Sequence, residues 1–87
     1  MSTEETIATE IEVYDLDCAG LLCPLPVYKA ALALAKLEPG DRLRLITTDL
    51  GALEDIPAMT RQRGDTLVSV DREVDRQTFL IQKGTQS

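Results

Sequence analysis

Two prolines one residue apart, Pro24 and Pro26, stand directly ahead of a helical pattern and fix where the first helix of this chain can begin. Proline is tolerated in the first helical turn, where its missing N–H has no partner in any case, and is disfavoured deeper. After them Val27, Ala30, Ala31, Leu34 and Leu37 recur at the spacing of one helix face. Glu38-Pro39-Gly40-Asp41 then stops the helix and turns the chain. Cys23, in Leu22-Cys23-Pro24-Leu25-Pro26, therefore falls at the helix mouth. A thiol placed there is expected to face unpaired backbone N–H groups and the positive end of the helix dipole, both of which favour the reactive thiolate.

The flanking patterns predict a βαβαββ order. Alternation through Ile11, Val13 and Leu16 reads as a strand ending near Asp17, followed by a short loop, Cys18 to Leu22, in which Gly20 serves the turn. Arg42 to Thr48 alternates charged and aliphatic side chains as a half-exposed strand does. Asp49-Leu50-Gly51 is a turn in which Asp49 is placed to cap the next segment. Leu53, Ile56 and Met59 carry a second helical spacing, which Pro57 is expected to divide into a first turn at about 52–56 and a main helix from Pro57 onward. Thr66–Val70 and Thr78–Gln82 read as two strands joined across the charged run Asp71–Gln77. Strand–helix–strand crossovers favour a parallel pair, and the closing hairpin adds antiparallel partners. The expected fold is thus an α+β two-layer sandwich, with two helices packed on a four-stranded mixed sheet. The expected organisation is a flexible acidic tail over 1–9, one domain over 10–84 and a frayed end at 85–87.

Charge excludes several function classes. Fifteen acidic against nine basic residues give a net charge of -6, and only Tyr14, Tyr28 and Phe79 are aromatic. Such a chain is repelled by phosphate backbones and lacks the basic-aromatic surface of a single-strand binder, so direct nucleic-acid binding is not expected. No apolar run approaches the roughly 20 residues of a membrane span, and the N-terminus is acidic, so the expectation is a cytoplasmic protein without membrane contact, its two cysteines reduced. With no histidine and two cysteines, the chain cannot close a tetrahedral zinc site, and neither a metal nor a cofactor is expected. The same absence removes any Cys–His nucleophilic pair.

Asp17-Cys18-Ala19-Gly20-Leu21-Leu22-Cys23-Pro24-Leu25-Pro26 resembles the signature of the TusA-like (SirA-like) sulfur-carrier proteins: a glycine, two residues, then Cys-Pro-x-Pro at the start of the first helix. The resemblance spans roughly Val13 to Gly84 and takes in Leu37-Glu38-Pro39-Gly40-Asp41, Asp49, Asp55-Ile56-Pro57 and Ile81-Gln82-Lys83-Gly84. It implies a relay that accepts sulfane sulfur as a persulfide on Cys23 and passes it to a partner protein. The implied donors are cysteine desulfurases or rhodanese-type enzymes, and the implied recipients serve tRNA thiolation, cofactor assembly or sulfur oxidation. The chain departs from the family pattern at Asp49-Leu50-Gly51, where Asp-Pro is common, and at Gly64-Asp65, where Gly-His is common. Both departures bear on partner identity more than on the sulfur-bearing residue.

Around Cys23, Gly20, Pro24 and Pro26 are read as shaping the site. Cys18 and Asp49 are candidate accessory groups, although a carboxylate near Cys23 would raise its pKa and work against the helix. Leu21, Leu22 and Leu25 are candidates for an apolar docking patch, and Lys29 and Lys36 for a basic strip beside the thiol. The free protein is expected to be monomeric. Two rival readings remain: a thiol–disulfide redox module using Cys18 and Cys23, and a non-catalytic regulatory interaction domain.

Overall fold

The computed structural model describes residues 11–85, so the acidic segment 1–9 lies outside the described residues. Strand β1 (Val13–Cys18) leads into helix α1 (Leu25–Ala35), then β2 (Arg42–Thr47), α2 (Ala52–Arg63), β3 (Thr66–Arg72) and β4 (Gln77–Gln82). The strands lie side by side in the order β1-β2-β4-β3; β1 and β2 are parallel and the other neighbours antiparallel. Both helices cover one face of this mixed sheet, so the two-layer βαβαββ architecture expected from the patterns is the one found.

Alternation explains how the layers join. β2 buries Leu43, Leu45 and Thr47 while β4 buries Gln77, Phe79 and Ile81, and these six are paired across the two strands. β1 adds Leu16 opposite Leu45 and Cys18 opposite Thr47. From the helix layer, Pro26, Ala30 and Leu34 of α1 and Ala52, Ile56 and Met59 of α2 close over them. Leu34, Leu43, Leu45, Ile56, Phe79 and Ile81 are almost fully buried. Each stabilises the fold by about 1.5–3 kcal/mol relative to an exposed side chain.

Element boundaries differ from expectation in a few places. β1 continues through Cys18, because that side chain is drawn into the core opposite Thr47. β3 runs to Arg72 and β4 starts at Gln77, which shrinks the charged connection to a turn closed by Glu73 N–H on the Arg76 carbonyl. The largest difference is α2, one continuous helix with Pro57 inside it. Pro57 removes the N–H that would bond Leu53, but Ile56 before it and Met59 and Thr60 after it are buried on one face, and that burial carries the helix through. Among the described residues no helix is long and apolar enough to cross a membrane.

One buried polar pair secures the end of β2 from which the site is built. The Thr47 hydroxyl donates to the Gln77 side-chain carbonyl at 2.7 Å, with both side chains sealed from solvent. Replacing Thr47 with Val strands the Gln77 amide in the core, and a loss of about 1–3 kcal/mol is expected in urea unfolding. Thr47→Val combined with Gln77→Leu should recover much of that loss, since removing both partners leaves nothing unsatisfied.

Candidate functional site

Parallel pairing of β1 and β2 puts their carboxyl ends together, with Cys18 beside Thr47. The two connections that leave those ends, residues 19–24 and 48–51, therefore meet at one pole of the sheet. In open sheets of this kind, crevices at the carboxyl ends of the strands are where ligands and reacting groups gather. The first connection turns back by a hydrogen bond from Leu21 N–H to the Cys18 carbonyl, with Gly20 at φ +85. Only glycine adopts that backbone conformation without strain. Gly20 N–H donates across to the Thr48 hydroxyl at 2.8 Å, tying the two connections together.

Asp49 completes the tie. One carboxylate oxygen accepts the backbone N–H of Cys23 at 2.6 Å, and the other accepts Gly51 N–H at 3.1 Å. Asp49 does not cap α2 directly; Gly51 occupies the N-cap position. Its carboxylate instead clamps the Cys23 loop to the start of α2. Of the accessory candidates, Asp49 is thus in contact with the Cys23 backbone. Asp17 is used locally, accepting Ala19 N–H at 3.0 Å.

Cys23 is solvent-exposed and Cys18 is buried, and both are free thiols. Burial is the main cause that pushes the Cys18 thiol up, opposed by the charge of Lys29 and reinforced by Asp17. Cys18 is a small apolar member of the buried core. Cys23 departs from expectation. Its Sγ donates to Asp55 Oδ2 at 3.0 Å, and its pKa is raised, first by that hydrogen bond, then by desolvation, then by the charges of Asp55 and Asp49. The anticipated thiolate stabilisation at the helix mouth is therefore overturned. Cys23 precedes Pro24, which occupies the N-cap of α1 and follows a cis Cys23–Pro24 bond. The prolines that set the helix start also remove part of the donor array at its mouth. Pro24 and Pro26 have no N–H, Leu25 N–H is bonded to the Leu22 carbonyl, and Tyr28 N–H to that of Pro24.

The docking candidates separate. Leu22 and Leu25 are 70% and 45% exposed on either side of Cys23, whereas Leu21 packs against the core. Leu50 in the second connection and Tyr28 one turn along α1 are equally open, at 69% and 63%. Lys29 lies on the first half of α1, but Lys36 caps its far end, roughly 10 Å further along the axis and away from the helix start that Cys23 precedes.

Asp55 is the site residue that sequence reasoning missed. The pattern already put Asp55 in a helical turn at about 52–56, where Glu54 and Asp55 meet the positive end of the helix dipole, but nothing in the pattern brought that turn against Cys23. The usable signal was the spacing of Asp49 and Asp55 across a single helix start.

With this geometry in view, comparison with known proteins is decisive: the family described as Sulfurtransferase TusA matches residues 14–83. The chain belongs to the TusA family. The sulfur carrier protein TusA of Allochromatium vinosum is 38% identical over 69 residues, covering 79% of this chain and 91% of that protein. A relative from Neisseria meningitidis is 40% identical over 67 residues, 77% of this chain and 90% of its own length. The crystal structure of a SirA-like protein from Desulfitobacterium hafniense shares the fold at a TM-score of 0.72 and 23% identity, covering 83% of this chain and 97% of that one.

The clamp by Asp49 makes a prediction for this TusA-family site. Asp49→Ala should cost about 1 kcal/mol of stability. It should also accelerate hydrogen exchange at the Cys23 and Gly51 amides at least tenfold relative to core amides, as read by NMR. Unchanged exchange at Cys23 would show that the loop is held by something else.

Proposed function

We propose that this chain is a sulfur-relay protein in which Cys23 carries sulfane sulfur as a persulfide between a donor protein and an acceptor protein. The observation that carries the reading is the pairing of an exposed thiol with a backbone clamp, on a chain whose family is one of sulfurtransferases and whose relatives include proteins named as sulfur carriers. A cysteine desulfurase or rhodanese-type enzyme presents R–S–S⁻. The Cys23 sulfur bonds to the outer sulfur, the donor's S–S bond breaks, and the donor sulfur leaves with the electron pair and takes up the Cys23 proton. The products are Cys23–S–S⁻ and R–S–H, so atoms, charge and oxidation level balance without a cofactor. Discharge repeats the exchange onto an acceptor thiol in tRNA thiolation, cofactor assembly or sulfur oxidation. A reducing compartment such as the cytoplasm suits a site that works as a free thiol.

Leu22 and Leu25 flank Cys23 along the chain, Leu50 follows the Asp49 that clamps it, and all three are exposed, which fits the role of a docking face for both partners. Against the redox-module reading stands the position of Cys18, sealed in the core while Cys23 faces solvent.

The test is intact mass after incubation with a desulfurase and cysteine, or with a rhodanese and thiosulfate. Wild type and Cys18→Ala should each gain one sulfur atom that a reductant removes, and Cys23→Ser should gain none. Loss of loading in a folded Cys18→Ala protein would favour the two-cysteine redox module instead. Failure of wild type to load from either donor would remove the carrier reading.

A further inference from the structure

An exposed nucleophile would normally be supported by a base or a cation, yet the groups that bear on the Cys23 sulfur are both acidic. They are Asp55 from the first turn of α2 and Asp49 from the connection before it. Lys29 of α1 bears on the buried Cys18 instead, as does Asp17 of β1. A carboxylate is a far weaker base than a thiolate, so at neutral pH Asp55 accepts a hydrogen bond from the thiol without removing its proton. We propose that Asp55 is a positioning residue that holds the unloaded Cys23 as a neutral, hydrogen-bonded thiol and makes the same site unfavourable for the anion that arrives with sulfur.

The consequence concerns direction. A persulfide is a stronger acid than the thiol that bears it, so the loaded site is anionic at neutral pH and the empty site is neutral. In Cys23–S–S⁻ + H–S–R′ → Cys23–S–H + R′–S–S⁻, a negative charge leaves the neighbourhood of two carboxylates and the Cys23–S bond to the outer sulfur is exchanged for one on the acceptor. The proton of the acceptor thiol ends on Cys23, where Asp55 receives its hydrogen bond. Asp55 therefore biases the carrier towards discharge and keeps the empty thiol quiet between partners. This inference rests on the persulfide-carrier reading for its loaded state, while its unloaded half concerns the free thiol alone.

Two measurements on Asp55→Asn and Asp55→Glu, with folding checked by circular dichroism, test it. Titrating the unloaded thiol by thiolate absorbance and iodoacetamide rate needs no persulfide. Asp55→Asn should lower the midpoint and raise alkylation at neutral pH several-fold, with Asp55→Glu close to wild type. The stability sign follows: a folded-state pKa raised at Cys23 contributes stability present below the unfolded value and lost as pH rises through the folded one. Wild type should thus lose stability at alkaline pH relative to Asp55→Asn. The second measurement equilibrates each protein with glutathione persulfide and glutathione; the loaded fraction should rise several-fold in Asp55→Asn. An unchanged titration, or a lowered midpoint with unchanged loading, overturns the inference. Failure of wild type to load at all would instead strike the carrier reading, leaving the titration as an independent result.

Discussion

Parallel pairing of β1 with β2 is the constraint on which the rest of this molecule depends. A parallel pair requires a crossover, and here α1 provides it, so the chain must leave β1 and re-enter the sheet with both strand exits on the same side. That brings residues 19–24 against residues 48–51 before any side chain at the site is chosen. The Cys18–Thr47 and Thr47–Gln77 neighbours then pin the strand ends in the core. Hydrogen bonds from Gly20 to Thr48 and from Cys23 to Asp49 convert a topological neighbourhood into fixed geometry. An antiparallel β1–β2 pair would send these connections to opposite poles and leave Cys23 without its clamp.

Electrostatics at that pole are decided by size. The α1 macrodipole amounts to about half an elementary charge at the helix end, and prolines have removed part of the N–H array through which it acts. Against it stand two full carboxylate charges, one of them in direct hydrogen-bond contact with the sulfur. The carboxylates win, and the thiol pKa moves up. A helix mouth is therefore an incomplete description of a cysteine's surroundings: what the neighbouring connection contributes can reverse its sign.

Much of this was legible in the chain. Pro24 and Pro26 fix a helix start, alternation in Arg42–Thr47 and Thr78–Gln82 fixes which side chains face inward, and the crossover order implies a parallel pair; together they place Cys23 at the strand exits. Asp49 was within reach because it directly follows a strand that had to end there. Asp55 was not, because its role rests on a contact with a sulfur 32 residues away, which no local pattern encodes. Leu21 and Leu22 were indistinguishable by composition. One turns into the core and the other to solvent, a difference made by the Gly20 turn and invisible to a period count.

A thiol that is exposed yet held neutral separates availability from reactivity. Among the described residues Cys23 is exposed to solvent. What the carrier lacks is positive charge at the sulfur, and a chain of net charge -6 meets basic surfaces preferentially. Under the relay reading the two facts fit one another: a partner that brings a cation to the Asp49–Asp55 pair supplies the electrostatic support that α1 does not. On that reading, reactivity belongs to the complex with the partner rather than to the free chain.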